Sequence, residues 1–166
     1  MDQNKIDQIK QVCTSKFLAP LESYAKKLLN GDCTAYPDPG PTGLPITIGY
    51  GSTYDDKGVP VKLGDVWTHD KALYVKSKVL DKFIVILQKY SPKLFDEPVN
   101  RIAAVLSWIY NLGEGNYSSS TFRKCIDSKN WNQAYTECQK WNKAGGVVLN
   151  GLTTRRKLEA DSILNP

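Results

Sequence analysis

Apolar residues recur at three- and four-residue steps near the start of the chain: Ile6, Ile9, Val12, Cys13, Phe17, Leu18 and Leu21. That spacing predicts a helical segment over residues 4–29, kinked or interrupted where Pro20 cannot donate a backbone hydrogen bond. The periodicity then stops. Most of the prolines and glycines lie between Asn30 and Gly64, with Asn30-Gly31 and Lys57-Gly58 as turn signals around short segments such as Pro45 to Tyr50. Such punctuation predicts a small antiparallel sheet of two or three strands.

Helical spacing resumes at Thr68, a suitable N-cap, and Leu73, Val79, Leu80, Phe83, Ile84 and Leu87 mark a long amphipathic helix that must stop before Pro92. Arg101 to Tyr110 is apolar on every face (Ile102, Ala103, Val105, Leu106, Trp108, Ile109) and predicts a central buried helix ended by Gly113 and Gly115. Further helices are predicted over 121–128, 131–143 and 154–164, with Trp108, Trp131 and Trp141 on apolar faces as core residues. The expectation is a single α+β domain over 1–166: an N-terminal helical segment (1–29), a small sheet lobe (30–66) and a helical lobe (67–166), with a cleft where the lobes meet.

Composition narrows the function classes. With 41% hydrophobic and 23% charged residues the chain has the balance of a folded globular protein. No apolar run approaches the roughly 20 residues of a membrane span, and MDQNKIDQIKQV is too polar for a secretory h-region, so no stable membrane insertion is expected. The net charge of +5 favours a polyanionic partner: nucleic acid, anionic lipid or the acidic bacterial envelope. Basic residues do not cluster on one helix with exposed aromatics, which ranks a nucleic-acid module last.

Cys13, Cys33, Cys125 and Cys138 show no CxxC spacing and His69 is the sole histidine, so a structural zinc site is not expected, a zinc amidase or HExxH protease with two or more histidine ligands is nearly excluded, and no cofactor is expected. The cysteines read as buried free thiols, or as Cys13–Cys33 and Cys125–Cys138 pairs in an oxidising compartment. A cysteine peptidase would need one of these thiols beside His69 and a third, orienting group.

Glycoside hydrolysis needs a protonated carboxylic acid at the leaving oxygen and a second carboxylate that orients water or the developing cation. Glu22 follows the apolar run Phe17 to Leu21, Asp38 lies in Ala35-Tyr36-Pro37-Asp38-Pro39, and Thr47 opens Thr47-Ile48-Gly49-Tyr50-Gly51. Singly, each has an ordinary structural reading as a solvated helix residue, a turn-forming Asp and a strand residue.

Together these motifs resemble the phage-type lysozymes, glycoside hydrolase family twenty-four. The likeness continues through Asn111-Leu112-Gly113-Glu114-Gly115-Asn116-Tyr117 with Ser120-Thr121, then Trp141 with Ala144-Gly145-Gly146, and Gly151 to Arg156 with Glu159, covering about residues 16 to 164. The resemblance implies a lysozyme-like fold and a muramidase that cleaves the β-1,4 bond between N-acetylmuramic acid and N-acetylglucosamine. It implies a helix-end Glu as general acid, with Asp38 and Thr47 delivering water from the opposite face. Inversion should follow, with the two carboxyl groups about 6.5 to 9.5 Å apart.

The acid has two registers. In the family it precedes a Gly and stands nearer the Tyr than Glu22 does, and the closest gap match puts Asn30-Gly31 at that place. An Asn cannot protonate a leaving alkoxide, so that register implies a wall-binding homologue that cuts poorly or not at all. The other keeps Glu22 as acid and places an insertion within 24–33. Asp32 ranks third. Arg155 and Arg156 read either as surface charges or as braces that pair with an acid such as Glu159, while Tyr50 and Tyr54 are candidates for stacking on a sugar. The expected partner is bacterial peptidoglycan, met by a monomer made in the host cytoplasm and acting on the wall in the periplasm.

Overall fold

The structure is a computed structural model and describes residues 2–19, 25–37 and 43–166. It divides into two compact units, Met1–Leu21 with Leu80–Pro166, and Glu22–Val79.

The first unit is helical. Helix α1 (Gln3–Val12) is capped by the Asp2 carboxylate, which accepts from Asn4 N, and the chain continues through a π-helical stretch, Cys13–Leu18, that ends just before Pro20. Helix α2 (His69–Tyr90) gives this unit its part from Leu80 onward and is followed by a 3-10 turn, Pro92–Asp96. Helices α3 (Val99–Ser119), α4 (Thr121–Asp127), α5 (Trp131–Gln139) and α6 (Asn150–Leu164) complete the unit. Residues Arg101 to Ile109 of α3 are all buried, as an all-round apolar sequence requires.

Trp108 is fully buried at the centre of the core, its ring 4.8 Å from that of Phe122 and in edge contact with Tyr117 and Trp141. Arg101 reaches the other end of the chain. Its Nε donates to the Ile163 carbonyl at 2.7 Å and Nη2 to that of Leu164, satisfying acceptors that the last turn of a helix leaves open.

Two expectations for this unit need correction. Gly113 leaves helical geometry (φ 84, ψ 167), yet the chain turns helical again through Ser119, because only one residue is displaced and the following backbone recovers its ladder. The helix expected over 131–143 stops at Gln139, and strands β5 (Lys143–Ala144) and β6 (Val147–Val148) form a hairpin before α6 begins at Asn150. Gly145 and Gly146, both at positive φ, make that turn.

The second unit holds the remaining β structure as short antiparallel pairs. Here β1 (Cys33–Thr34) pairs with β4 (Val66–Trp67), and β2 (Tyr36–Pro37) pairs with β3 (Ile46–Thr47) in the register Tyr36↔Thr47, Pro37↔Ile46. The predicted small sheet is therefore two separate pairs, and its last strand lies beyond Gly64. Cys33, Ala35, Ile48, Val61, Trp67, Ala72 and Val75 form this unit's own core against the first turns of α2, which Thr68 caps through Lys71 N.

Residues 25–29 are not helical as expected. Lys27 bridges Cys33, and Leu28 N donates to Asp32 O at 2.7 Å, closing a small hairpin whose tip holds Asn30. Leu28 and Leu29 are exposed there. All four cysteines are buried, and neither of the expected disulfides forms.

Candidate functional site

Thr47 sits at the end of β3, buried, opposite Tyr36; its Oγ1 donates to the Tyr36 carbonyl at 3.4 Å. Asp38 follows Pro37, the last paired residue of β2, in the sequence. Asp38 and Glu22 both lie outside the described residues.

Immediately after Thr47 the chain makes a tight loop. Ile48 and Ser52 exchange both backbone hydrogen bonds at 3.0 Å, and the residues between them need two positive φ angles, at Gly49 and Gly51. Gly49 presses on α2: a Cβ there would stand 3.0 Å from that of Ala72. Tyr50, at the loop's tip, is half-buried. Its hydroxyl lies 3.2 Å from His69 Nε2, and the Lys76 ammonium, itself buried, lies over its ring at 4.2 Å from the centroid. Loss of hydration, then the nearby Cys33 sulfur, pushes the Tyr50 phenol above its ordinary range.

Sequence reasoning weighed His69 as a zinc ligand and as the partner of a cysteine nucleophile, and did not single out Lys76. The signal was present as spacing: residues 69, 72 and 76 fall on one helix face at i, i+3 and i+7. The Cys33 thiol hydrogen bonds the Trp67 carbonyl and the Cys138 thiol that of Arg156, while burial pushes the thiols of Cys125 and Cys138 up, away from the thiolate a nucleophile needs.

Tyr54 lies elsewhere on the same unit. It is exposed and lines an apolar depression of about 490 Å³ with Leu44, Pro45, Ile46, Pro60 and Val61. Ile46 is the strand neighbour of Thr47, and alternation sends their side chains to opposite faces, so Tyr54 is not brought to the Thr47 side.

Asn30 is exposed at its hairpin tip and exchanges hydrogen bonds with Asp32: its Nδ2 donates to Oδ2 at 2.8 Å and its Oδ1 accepts from the Asp32 amide. That is an Asx-type turn, which lacks the desolvation that raises a general acid's pKa.

Arg155 and Arg156 are not surface charges. Both are buried and share the carboxylate of Glu159, and they tie α6 to α3 through Ser107 and Asn111. Among the described residues, no group of three or more His, Cys, Asp or Glu side chains could hold a metal ion, and no helix is long and apolar enough to cross a membrane.

Comparison with known proteins agrees with this architecture. The endolysin of Bacillus phage B103 is 34% identical over 119 residues, a match covering 72% of this chain and 43% of that relative, less than half its length. The SAR-endolysin of bacteriophage PS119 is 30% identical over 120 residues, 72% of this chain and 68% of its own. Among solved structures, the endolysin of Escherichia coli O157:H7 phage FAHEc1 superposes with a TM-score of 0.70 over 99% of this chain and 92% of that one, at 29% identity. The fold is thus the α+β lysozyme fold, and since the phage lysozyme family model matches residues 27–159, the chain belongs to the phage lysozyme family.

Proposed function

We propose that this protein is a peptidoglycan hydrolase, a muramidase that cuts the β-1,4 bond between N-acetylmuramic acid and N-acetylglucosamine during bacterial lysis. The observation that carries the reading is the pairing of Thr47 with Tyr36, which fixes a strand-end hydroxyl beside the strand that leads directly into Asp38. In this mechanism Glu22 protonates the glycosidic oxygen, and Asp38 with Thr47 orients the water that attacks the anomeric carbon from the other face. The product then has inverted configuration. Tyr50 provides an aromatic surface for the sugar.

Two observations support Glu22 over the alternatives. Ala19 is still helical, three positions before Glu22 in the sequence, and the hairpin over residues 27–33 is an excursion of the kind an insertion would make, with Asn30 exposed at its tip. One observation favours a second reading, in which Asn30 replaces the acid and the protein binds wall glycan without cutting it well. The family match begins at residue 27, leaving Glu22 outside it and Asn30 inside.

The test is clearing of outer-membrane-permeabilised Gram-negative cells by the parent and by Glu22→Gln. Clearing by the parent alone, with the variant folded, assigns Glu22. Clearing by both rejects it. No clearing by either, with binding to isolated peptidoglycan retained, establishes the second reading. Proton NMR of the freshly released reducing end distinguishes inversion from retention.

A further inference from the structure

The loop after Thr47 is seated on a single face of α2. Ala72 at its centre is small enough for the Gly49 backbone to lie against it, and an additional Cβ there would come within 3.0 Å. One turn away on either side, His69 and Lys76 both reach Tyr50, one at its hydroxyl and one over its ring. Lys76 is 2% exposed, a position where a helix ordinarily carries an aliphatic residue. A buried ammonium packed on an aromatic face is a specific arrangement, since desolvation strengthens the attraction between cation and ring.

We propose that Lys76 and His69 are positioning residues that hold the Tyr50 ring ready for a polysaccharide, so that this helix face sets the affinity of the protein for wall glycan. The inference rests on the peptidoglycan reading above. A ring gripped on one face and at its hydroxyl has lost its rotamer freedom before the ligand arrives, and the ligand no longer bears that ordering cost. The same grip holds the loop that begins at Thr47. Both act through Tyr50, and the effect is therefore on binding more than on the chemical step.

The test uses a soluble hexamer of N-acetylglucosamine for binding and peptidoglycan for turnover. Tyr50→Phe and His69→Phe should each weaken hexamer binding about fivefold, the worth of one net hydrogen bond, and raise KM more than they lower kcat. The double variant should bind no more weakly than the worse single one, because both remove the same hydrogen bond. Lys76→Met should weaken binding similarly, and Lys76→Arg should restore it, since a guanidinium also sits over a ring. Multiplying effects in the double variant, or parental affinity in Lys76→Met, overturns the proposal.

His69 is the sole histidine, so the ring nitrogen signals of protein labelled with 15N-histidine belong to it alone. Tyr50→Phe should move its Nε2 resonance in the free protein. A parent that cuts glycan while this resonance ignores the substitution overturns the clamp but not the hydrolase. A parent that neither binds nor cuts glycan while the resonance does respond overturns the hydrolase reading and the positioning role with it.

Discussion

The Arg156 guanidinium and the Glu159 carboxylate face each other at 3.1 Å with neither side chain exposed to solvent. Arg155 approaches the other carboxylate oxygen and Ser107 donates to it at 2.6 Å, while Arg156 Nη2 donates to Asn111 at 2.8 Å. Burial is the larger influence on both partners: it pushes the Glu159 carboxyl up and the Arg156 guanidinium down, against their mutual attraction. Among the described residues Arg156 Nη1 has no hydrogen-bond partner. This cluster therefore fixes how α6 docks on α3 more than it adds net stability.

Removing one charge from it should be far worse than removing all. Glu159→Gln leaves the Arg156 guanidinium buried opposite a neutral amide and should lower the unfolding free energy by about 3–5 kcal/mol. The triple variant Arg155→Met, Arg156→Met, Glu159→Met should recover more than half of that loss. Urea unfolding followed by circular dichroism measures both, and a triple variant no more stable than Glu159→Gln would show the cluster to be net stabilising.

Acid stability should depend on Glu97. Its carboxylate accepts from Lys129 at 2.7 Å and Arg101 at 2.6 Å, and these hydrogen bonds, that of Lys129 first, hold its pKa below the ordinary carboxylate value. A depressed folded-state pKa contributes stability that is fully present above the unfolded value, about 4.3 for Glu, and is lost as pH falls through the folded one. Melting temperatures of the parent should thus fall more steeply than those of Glu97→Gln as the pH drops below about 4.3. Parallel curves would mean that other carboxylates govern the acid limb.

Elements that bury a stripe were legible in the sequence, and elements that do not were missed. The cap at Thr68, the stop before Pro92 and the buried run from Arg101 to Ile109 follow from helical spacing, because packing enforces that spacing. Leu28 and Leu29 lie exposed on a hairpin, and Val147 and Val148 are exposed in β6, so neither segment gave a periodic signal of its true structure. Within the candidate site, Thr47 and Tyr50 were identified from the motif that contains them. Lys76 was not, since its place on the helix face of His69 and Ala72 does not by itself separate a buried lysine from the many surface ones; its contact with Tyr50 does.

The loop after Thr47 should tolerate no side chain at Gly49. Its φ of 62° costs an L residue roughly 1–2 kcal/mol, and the Cβ would also meet that of Ala72. Gly58 is the control, with φ at 78° and nothing within 4 Å of its Cβ position. Gly49→Ala should therefore lose more stability than Gly58→Ala, and only Gly49→Ala should reduce the rate of wall hydrolysis. Equal losses in thermal unfolding would mean that the backbone strain, and not the seat on Ala72, limits position 49.

Asn30 separates the two readings of the acid by a gain of function. Its exposed tip position and its hydrogen bonds to Asp32 give a carboxyl there neither desolvation nor a fixed aim. If Glu22 is the acid, Asn30→Glu should leave the rate of cell clearing within about twofold of the parent, the usual consequence of a change at an exposed turn, while Glu22→Gln abolishes it. If Asn30 stands where the acid was lost, the parent clears slowly or not at all and Asn30→Glu supplies the missing proton donor, raising the rate by about 10²-fold or more. Measuring the two substitutions singly and together decides the matter, since a rate that follows residue 22 in both backgrounds excludes residue 30, and the reverse excludes residue 22.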